Sequence, residues 1–152
     1  MTPDEVLQGL NKLGVKLSRV SLMRYEHQDL IPKAVRENRG GPGGCYVDYP
    51  LETIFEAYAA YCLLNGKYVR GDLQKTFGAK GSKLTPESVS SIRFYYEILS
   101  SDDKLKDVKD DFLQALKNER ETITAAIMNI ALQLIYRDML EEAKKKWNNI
   151  VK

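Results

Sequence analysis

The chain has few of the residues that build metal centres, disulfides or proton relays. Its 152 residues include two cysteines, Cys45 and Cys62, and one histidine, His27. A structural zinc takes about four Cys or His ligands, so no metal is expected. Two cysteines so far apart in sequence read as free thiols in a reducing compartment. Long apolar runs are also missing. The richest stretch, 123–136, is interrupted by Thr124, Asn129 and Gln133, whereas a membrane span needs about 18 apolar residues in a row. The opening Met1-Thr2-Pro3-Asp4-Glu5 is polar and acidic, unlike a secretory leader. A cytoplasmic location with no membrane partner is the expectation. Charge of one sign is scarce too. Lys and Arg number 23 against 21 Asp and Glu, a formal net of +2. That balance neither announces a nucleic-acid partner nor argues against one.

What is present is helical punctuation. Thr2, Pro3 and Glu5 form a Thr-x-x-Glu capping box with proline at the first helical position. Val6, Leu7, Leu10 and Leu13 follow at helical spacing, and Gly14 supplies a left-handed stop. Ser18 caps a second helix carrying Val20, Leu22, Met23 and Tyr25, which Pro32 forces to end. Two short helices around a tight turn make a helix-turn-helix pattern. Residues 33–49 come next, with four glycines and a proline in the five positions 40–44 and extended-looking flanks. They predict a β-hairpin with a flexible tip, placed as a wing. Pro50 restarts a helix on which Leu51, Ile54, Phe55, Tyr58, Ala59, Cys62 and Leu63 share a face, and Asn65-Gly66 ends it.

The second half is helical and less distinctive. Residues 67–84 set five basic residues against Asp72 and contain Gly78 and Gly81, a loop or a poor helix. Thr85-Pro86-Glu87-Ser88 starts a helix with an apolar stripe of Ile92, Tyr95, Tyr96 and Leu99. From Lys104 onwards there is neither proline nor glycine. That region predicts one very long helix, or two stacked helices with a bend at 118–121. Its stripe at 123–150 would either pair with a second copy or pack back on residues 86–117.

The run Leu17-Ser18-Arg19-Val20-Ser21-Leu22-Met23-Arg24-Tyr25-Glu26-His27-Gln28-Asp29-Leu30-Ile31-Pro32 resembles the DNA-binding head of the MerR-type winged helix-turn-helix regulators. Ser18, Ser21, Leu22, Tyr25, Glu26, Leu30, Ile31 and Pro32 fit that family's pattern. The glycine-rich hairpin and the Tyr49-Pro50-Leu51-Glu52 helix start also stand where the family has its wing and third helix. The match covers about residues 1–70. Two departures stand out: Met23-Arg24-Tyr25 replaces the family's Arg-Tyr-Tyr, and Asp29 replaces a glycine. The resemblance implies a mainly α protein with a winged head at 1–70 and a helical region at 71–152 for oligomerisation or effector binding. It also implies a homodimer, formed through C-terminal helices, whose two heads read a palindromic duplex.

The residues support such a reading. Ser18, Arg19 and Ser21 put short polar groups and one fork-shaped cation at the start of the helix that would enter the major groove. Lys16, Arg24, Lys33, Arg36 and Arg39 are candidates to neutralise phosphates. Tyr25 is a candidate neighbour of the DNA backbone, or simply core. Residues 12–39 hold seven basic and three acidic side chains, a local net of +4. Each has a duller alternative: Ser18 as a cap only, His27 as a surface residue, Cys45 as an idle thiol. The tyrosines at 46, 49, 58, 61, 95 and 96 read as core and interface. The acids at 102, 103, 107, 110 and 111 alternate with lysines and read as a solvated face. Residues 40–44 lack the spacing of a phosphate-binding loop. With no nucleophile–base pair, no paired-carboxylate signature and no cofactor fingerprint, an enzyme is the least expected class. The alternatives to a regulator of unknown effector are a protein-interaction adaptor, co-chaperone-like, and a phage-type excision or architectural factor.

Overall fold

The computed structural model describes residues 1–38, 45–68, 83–99 and 120–151. It is mainly helical, with one two-stranded antiparallel hairpin. Helix α1 spans Pro3–Lys12. The Thr2 hydroxyl accepts from the Glu5 amide at 3.2 Å, and the Thr2 amide donates to the Glu5 carboxylate at 2.7 Å. Helix α2 spans Arg19–His27, with the Ser18 hydroxyl accepting from the Ser21 amide at 3.1 Å. Strands β1 (Val35–Asn38) and β2 (Cys45–Asp48) pair with Arg36 opposite Val47 and Glu37 opposite Tyr46. Helix α3 is Glu52–Leu64, helix α4 Pro86–Leu99 and helix α5 Arg120–Val151, an unbroken 32 residues. The expected hairpin tip, most of the basic 67–84 stretch and the acid–lysine segment lie outside the described residues.

The first three helices all stop in the same way. Past α1, Gly14 has φ +87°; the Gly14 amide donates to Asn11 and that of Val15 to Leu10. Past α3, Gly66 has φ +67° and the Lys67 amide donates to Cys62 at 2.8 Å. Past α2, the left-handed residue is Asp29, at φ +58°, with the Asp29 amide on Glu26 and the Leu30 amide on Tyr25. The doubled back-bonding past α1 and α2 is the Schellman arrangement, which glycine favours, and α3 shows the longer of its two bonds. Asp29 therefore adopts the backbone for which the resembled family uses glycine, and aspartate is among the side chains that tolerate it.

Helix α3 is the keel. Nine of its thirteen residues, including Ile54, Phe55, Ala57, Tyr58, Ala60 and Leu63, are buried, as expected of a helix surrounded by neighbours. From one side α1 brings Val6 and Leu10, while Leu22, Tyr25, Leu30 and Ile31 close the turn region. From the other, α4 brings Val89 and Ile92, and α5 brings Ile135, Tyr136, Met139, Leu140 and Ala143. These residues form one continuous apolar cluster. Over residues 132–147, then, the α5 stripe packs back on its own chain, against α3 as well as α4, whereas the sequence alternative named only residues 86–117, of which 100–117 lie outside the described residues. Lys146 adds a 2.7 Å hydrogen bond to the Tyr58 hydroxyl, and Trp147 meets Phe55 edge-on at 6.4 Å.

Close approach requires Gly9. A Cβ there would lie 2.5 Å from Ile54 Cδ1 and 3.2 Å from Trp147 Cζ3. Gly9→Val should lower unfolding stability by about 2 kcal/mol, since overpacked cores typically lose 1–3 kcal/mol. An unchanged denaturation midpoint would contradict this seating of α1 on α3 and α5.

Candidate nucleic-acid interface

One carboxylate organises the face between α2 and the hairpin. Leu22, Tyr25 and Glu26 point inwards from α2, and Glu26 is 4 % exposed. A carboxylate at that depth needs partners, and Glu26 has four donors from three directions. The Arg36 guanidinium forks onto both oxygens at 2.6 and 2.7 Å. The Ala34 amide donates at 3.0 Å and the Tyr49 hydroxyl at 2.7 Å. One side chain thus binds the entry of β1, its second residue and the exit of β2. The Glu26 carbonyl is occupied as well, by the Lys33 ammonium at 2.7 Å. Lys33 also pairs with Asp29 at 3.2 Å. At the hairpin base the Tyr49 amide donates to the Met1 carbonyl at 2.7 Å, and the Met1 amine pairs with Asp48.

The hydrogen bonds from Arg36 outweigh the effect of burial and hold the Glu26 carboxyl down at about 2, with the Tyr49 and Ala34 donors adding to them. Burial, and then the hydrogen bond to that carboxylate, pushes the Tyr49 hydroxyl up to about 12.

The candidate residues from the sequence stand differently in the fold. Lys16, Arg19 and Arg24 are exposed, and no hydrogen bond or ion pair engages their side chains among the described residues. Ser18 and Ser21 are tied together at the helix start, with hydroxyls 3.0 Å apart. Lys33 and Arg36 are partly committed to Glu26, although the Arg36 side chain remains 44 % exposed. Tyr25 is core, 7 % exposed, and burial pushes its hydroxyl up to about 12. Arg39 lies outside the described residues.

The outward face of α2 therefore carries Arg19, Val20, Met23, Arg24 and His27. Beside it runs a groove of about 510 Å³ lined by Met23, Arg24, Glu26, His27, Lys33 and Arg36. Among the described residues that line it, Glu26 is the only acid, and it is already paired by its donors. The described lining thus presents cations with its one carboxylate buried, an arrangement suited to an anion.

Two residues with structural roles here were not singled out from the sequence. The sequence marks Glu26 only as a position fitting the resembled pattern and as one acid in a basic stretch. Its spacing from Leu22 and Tyr25 placed it on the inward face, which was the available signal. Arg93 gave no signal. It is 14 % exposed and donates to Glu56 at 3.1 Å, to the Asp29 carbonyl at 3.1 Å and to Glu97 at 3.0 Å. It ties α4 to the end of α2. Burial pushes the Glu56 carboxyl above its usual range, against the opposing pull of Arg93. Cys62 is a free, buried thiol that burial pushes up to about 11, so it is unreactive in the folded chain.

Among the described residues no group of three His, Cys, Asp or Glu could hold a metal, and no helix is long and apolar enough to cross a membrane. Compared with family models, curated proteins and solved structures, the chain matches none.

The Glu26 cluster makes stability depend on acid. A carboxyl lowered from 4.5 to about 2 on folding stabilises the fold fully above pH about 4.5, by roughly 3 kcal/mol. That contribution disappears as pH falls towards 2. Glu26→Gln should cost about 2–4 kcal/mol at pH 7, because it strands Arg36 and sets an amide donor among donors. The gap between parent and variant should narrow below pH 4.5 in denaturant titrations. A gap that stays constant down to pH 2.5 would show that the ionised carboxylate is not its source.

Proposed function

We propose that the chain binds double-stranded DNA sequence-specifically, as a winged helix-turn-helix protein similar to MerR-type regulators. The observation that carries this reading is the outward face of α2. Arg19 and Arg24 stand there on the second helix of a helix–turn–helix pair, with Lys16 in the turn just before it, all three exposed and unengaged among the described residues, beside a hairpin fixed by Glu26. In the proposed docking, the N-terminal half of α2 enters the major groove. Ser18 and Ser21 lie nearest the base edges, and Arg19 forks onto a guanine. Lys16 and Arg24 neutralise phosphates on either side. Lys33 and Arg36 chiefly set the angle of the hairpin, which acts as the wing and follows the DNA backbone.

Regulation of transcription in the cytoplasm by a homodimer reading an inverted repeat completes the proposal. Pairing of two copies then has to use surface other than the α5 stripe at 132–147, which is buried within its own chain. Because no catalytic constellation is part of the reading, the output is occupancy of a site. Any effector would act by changing head geometry.

Selection of bound sequences from a random duplex pool tests the proposal. The expected result is an enriched inverted repeat whose affinity falls steeply with salt. Arg19→Ala should cost about 10- to 100-fold on that site and relax one base position, following the 1–3 kcal/mol of a paired guanine contact. Arg24→Ala should weaken all duplexes alike and reduce the salt slope by about one. No enrichment, with weak and salt-insensitive binding, would contradict the proposal and favour a protein-interaction adaptor.

A further inference from the structure

The recognition face of α2 is not purely cationic. Val20 is 66 % exposed and Met23 58 % exposed, one helical turn apart on the face that also carries Arg19, Arg24 and His27. A single exposed apolar residue is ordinary. Here two adjoin each other, framed by cations, on a helix whose one acid, Glu26, is buried and paired. The frame selects a polyanion, while the centre of the face offers methyl and thioether surface. The major groove of DNA meets both demands. Its phosphates flank base edges on which thymine alone displays a methyl group.

Resting on the duplex-binding reading above, we infer that Val20 and Met23 are specificity-determining residues that read thymine methyl groups in the major groove. Three residues of helix rise about 4.5 Å, and successive base pairs are about 3.4 Å apart. Val20 and Met23 on a helix lying along the groove therefore meet neighbouring base steps. Arg19 and Arg24, each beside one of them in sequence, reach the adjacent guanine edge or phosphate. The preferred half-site then combines a thymine-bearing step with a guanine contact. The class of ligand is A·T-containing duplex in which the 5-methyl group itself contributes to affinity.

Uracil differs from thymine only by that methyl group and keeps the same base pairing. After selection of the preferred duplex, each thymine is replaced in turn by deoxyuridine, and binding is measured for the parent, Val20→Ser and Met23→Ser. Both positions are on the surface, so the variants keep the fold. At one or two thymines per half-site the parent should lose about fourfold in affinity, the worth of one buried methylene-sized group. Val20→Ser or Met23→Ser should show no further loss at the matching thymine. Equal binding to thymine and uracil duplexes would overturn the inference while leaving sequence-specific DNA binding in place. So would variants as sensitive to uracil as the parent, or a selected site without thymine. If no duplex is enriched at all, the underlying reading falls and the inference with it.

Discussion

The ion pair between Glu26 and Arg36 determines how the exposed face of the head is assembled. A two-stranded hairpin with four residues per strand is marginal by itself in water, and the described residues of β1 are all exposed. Apolar contact with the core comes from Ala34, Val47 and Tyr49, at its base and on β2, and not from β1 itself. The directional hold on β1 comes from a carboxylate on α2 that collects Arg36, Ala34 and Tyr49. Removing a buried carboxylate from water is costly, and charge-assisted hydrogen bonds to both oxygens offset that cost. The same arrangement consumes the one negative charge that would otherwise face the groove. One pairing thus fixes the hairpin angle and leaves the outward face of α2 with Arg19 and Arg24 around Val20 and Met23, and no exposed acid of the helix among them.

The rest of the molecule supports that helix from behind. Leu22 and Tyr25 seat α2 on the core that α3 shares with α1, α4 and α5. Arg93 joins Glu56 on α3 to the main chain just past the end of α2. The end of α2 is therefore held by Lys33 from the hairpin side and by Arg93 from the helical side. Head and C-terminal helices share one apolar cluster, so displacement of α4 or of the 132–147 stretch of α5 would be felt at α2. The seam between them is partly polar. Gln133 donates to the Ile92 carbonyl at 3.0 Å, while the Tyr136 hydroxyl and Glu56 Oε2 are buried with no hydrogen-bond partner among the described residues.

Local rules made much of the fold legible in the sequence. The capping box at Thr2, the cap at Ser18, the stops at Gly14 and Gly66 and the restart after Pro50 are decided within four or five residues, and each stands where its pattern puts it. The hairpin was legible from its glycine content and extended flanks. Less visible was whatever depends on contacts distant in sequence. Arg36 looked like a phosphate ligand because its partner is ten residues away on a helix. Tyr25 was open between core and surface until burial decided it. Whether the C-terminal stripe faced a second copy or its own chain could not be read from periodicity, since both arrangements need the same 3–4 spacing. Over 132–147 the shape of α3, rich in alanine at 57, 59 and 60, admits it within the chain.

The ionisation of Glu26 is the most direct test of the account, because hairpin angle and surface charge both follow from it. Carbon-detected NMR of side-chain carboxyls, followed from pH 6 to pH 2.5, resolves it. The Glu26 signal should stay in its ionised position to below pH 3, consistent with a midpoint of about 2. A Glu26 midpoint near 4.5 would contradict the account, since the carboxylate would then gain nothing from Arg36, Ala34 and Tyr49.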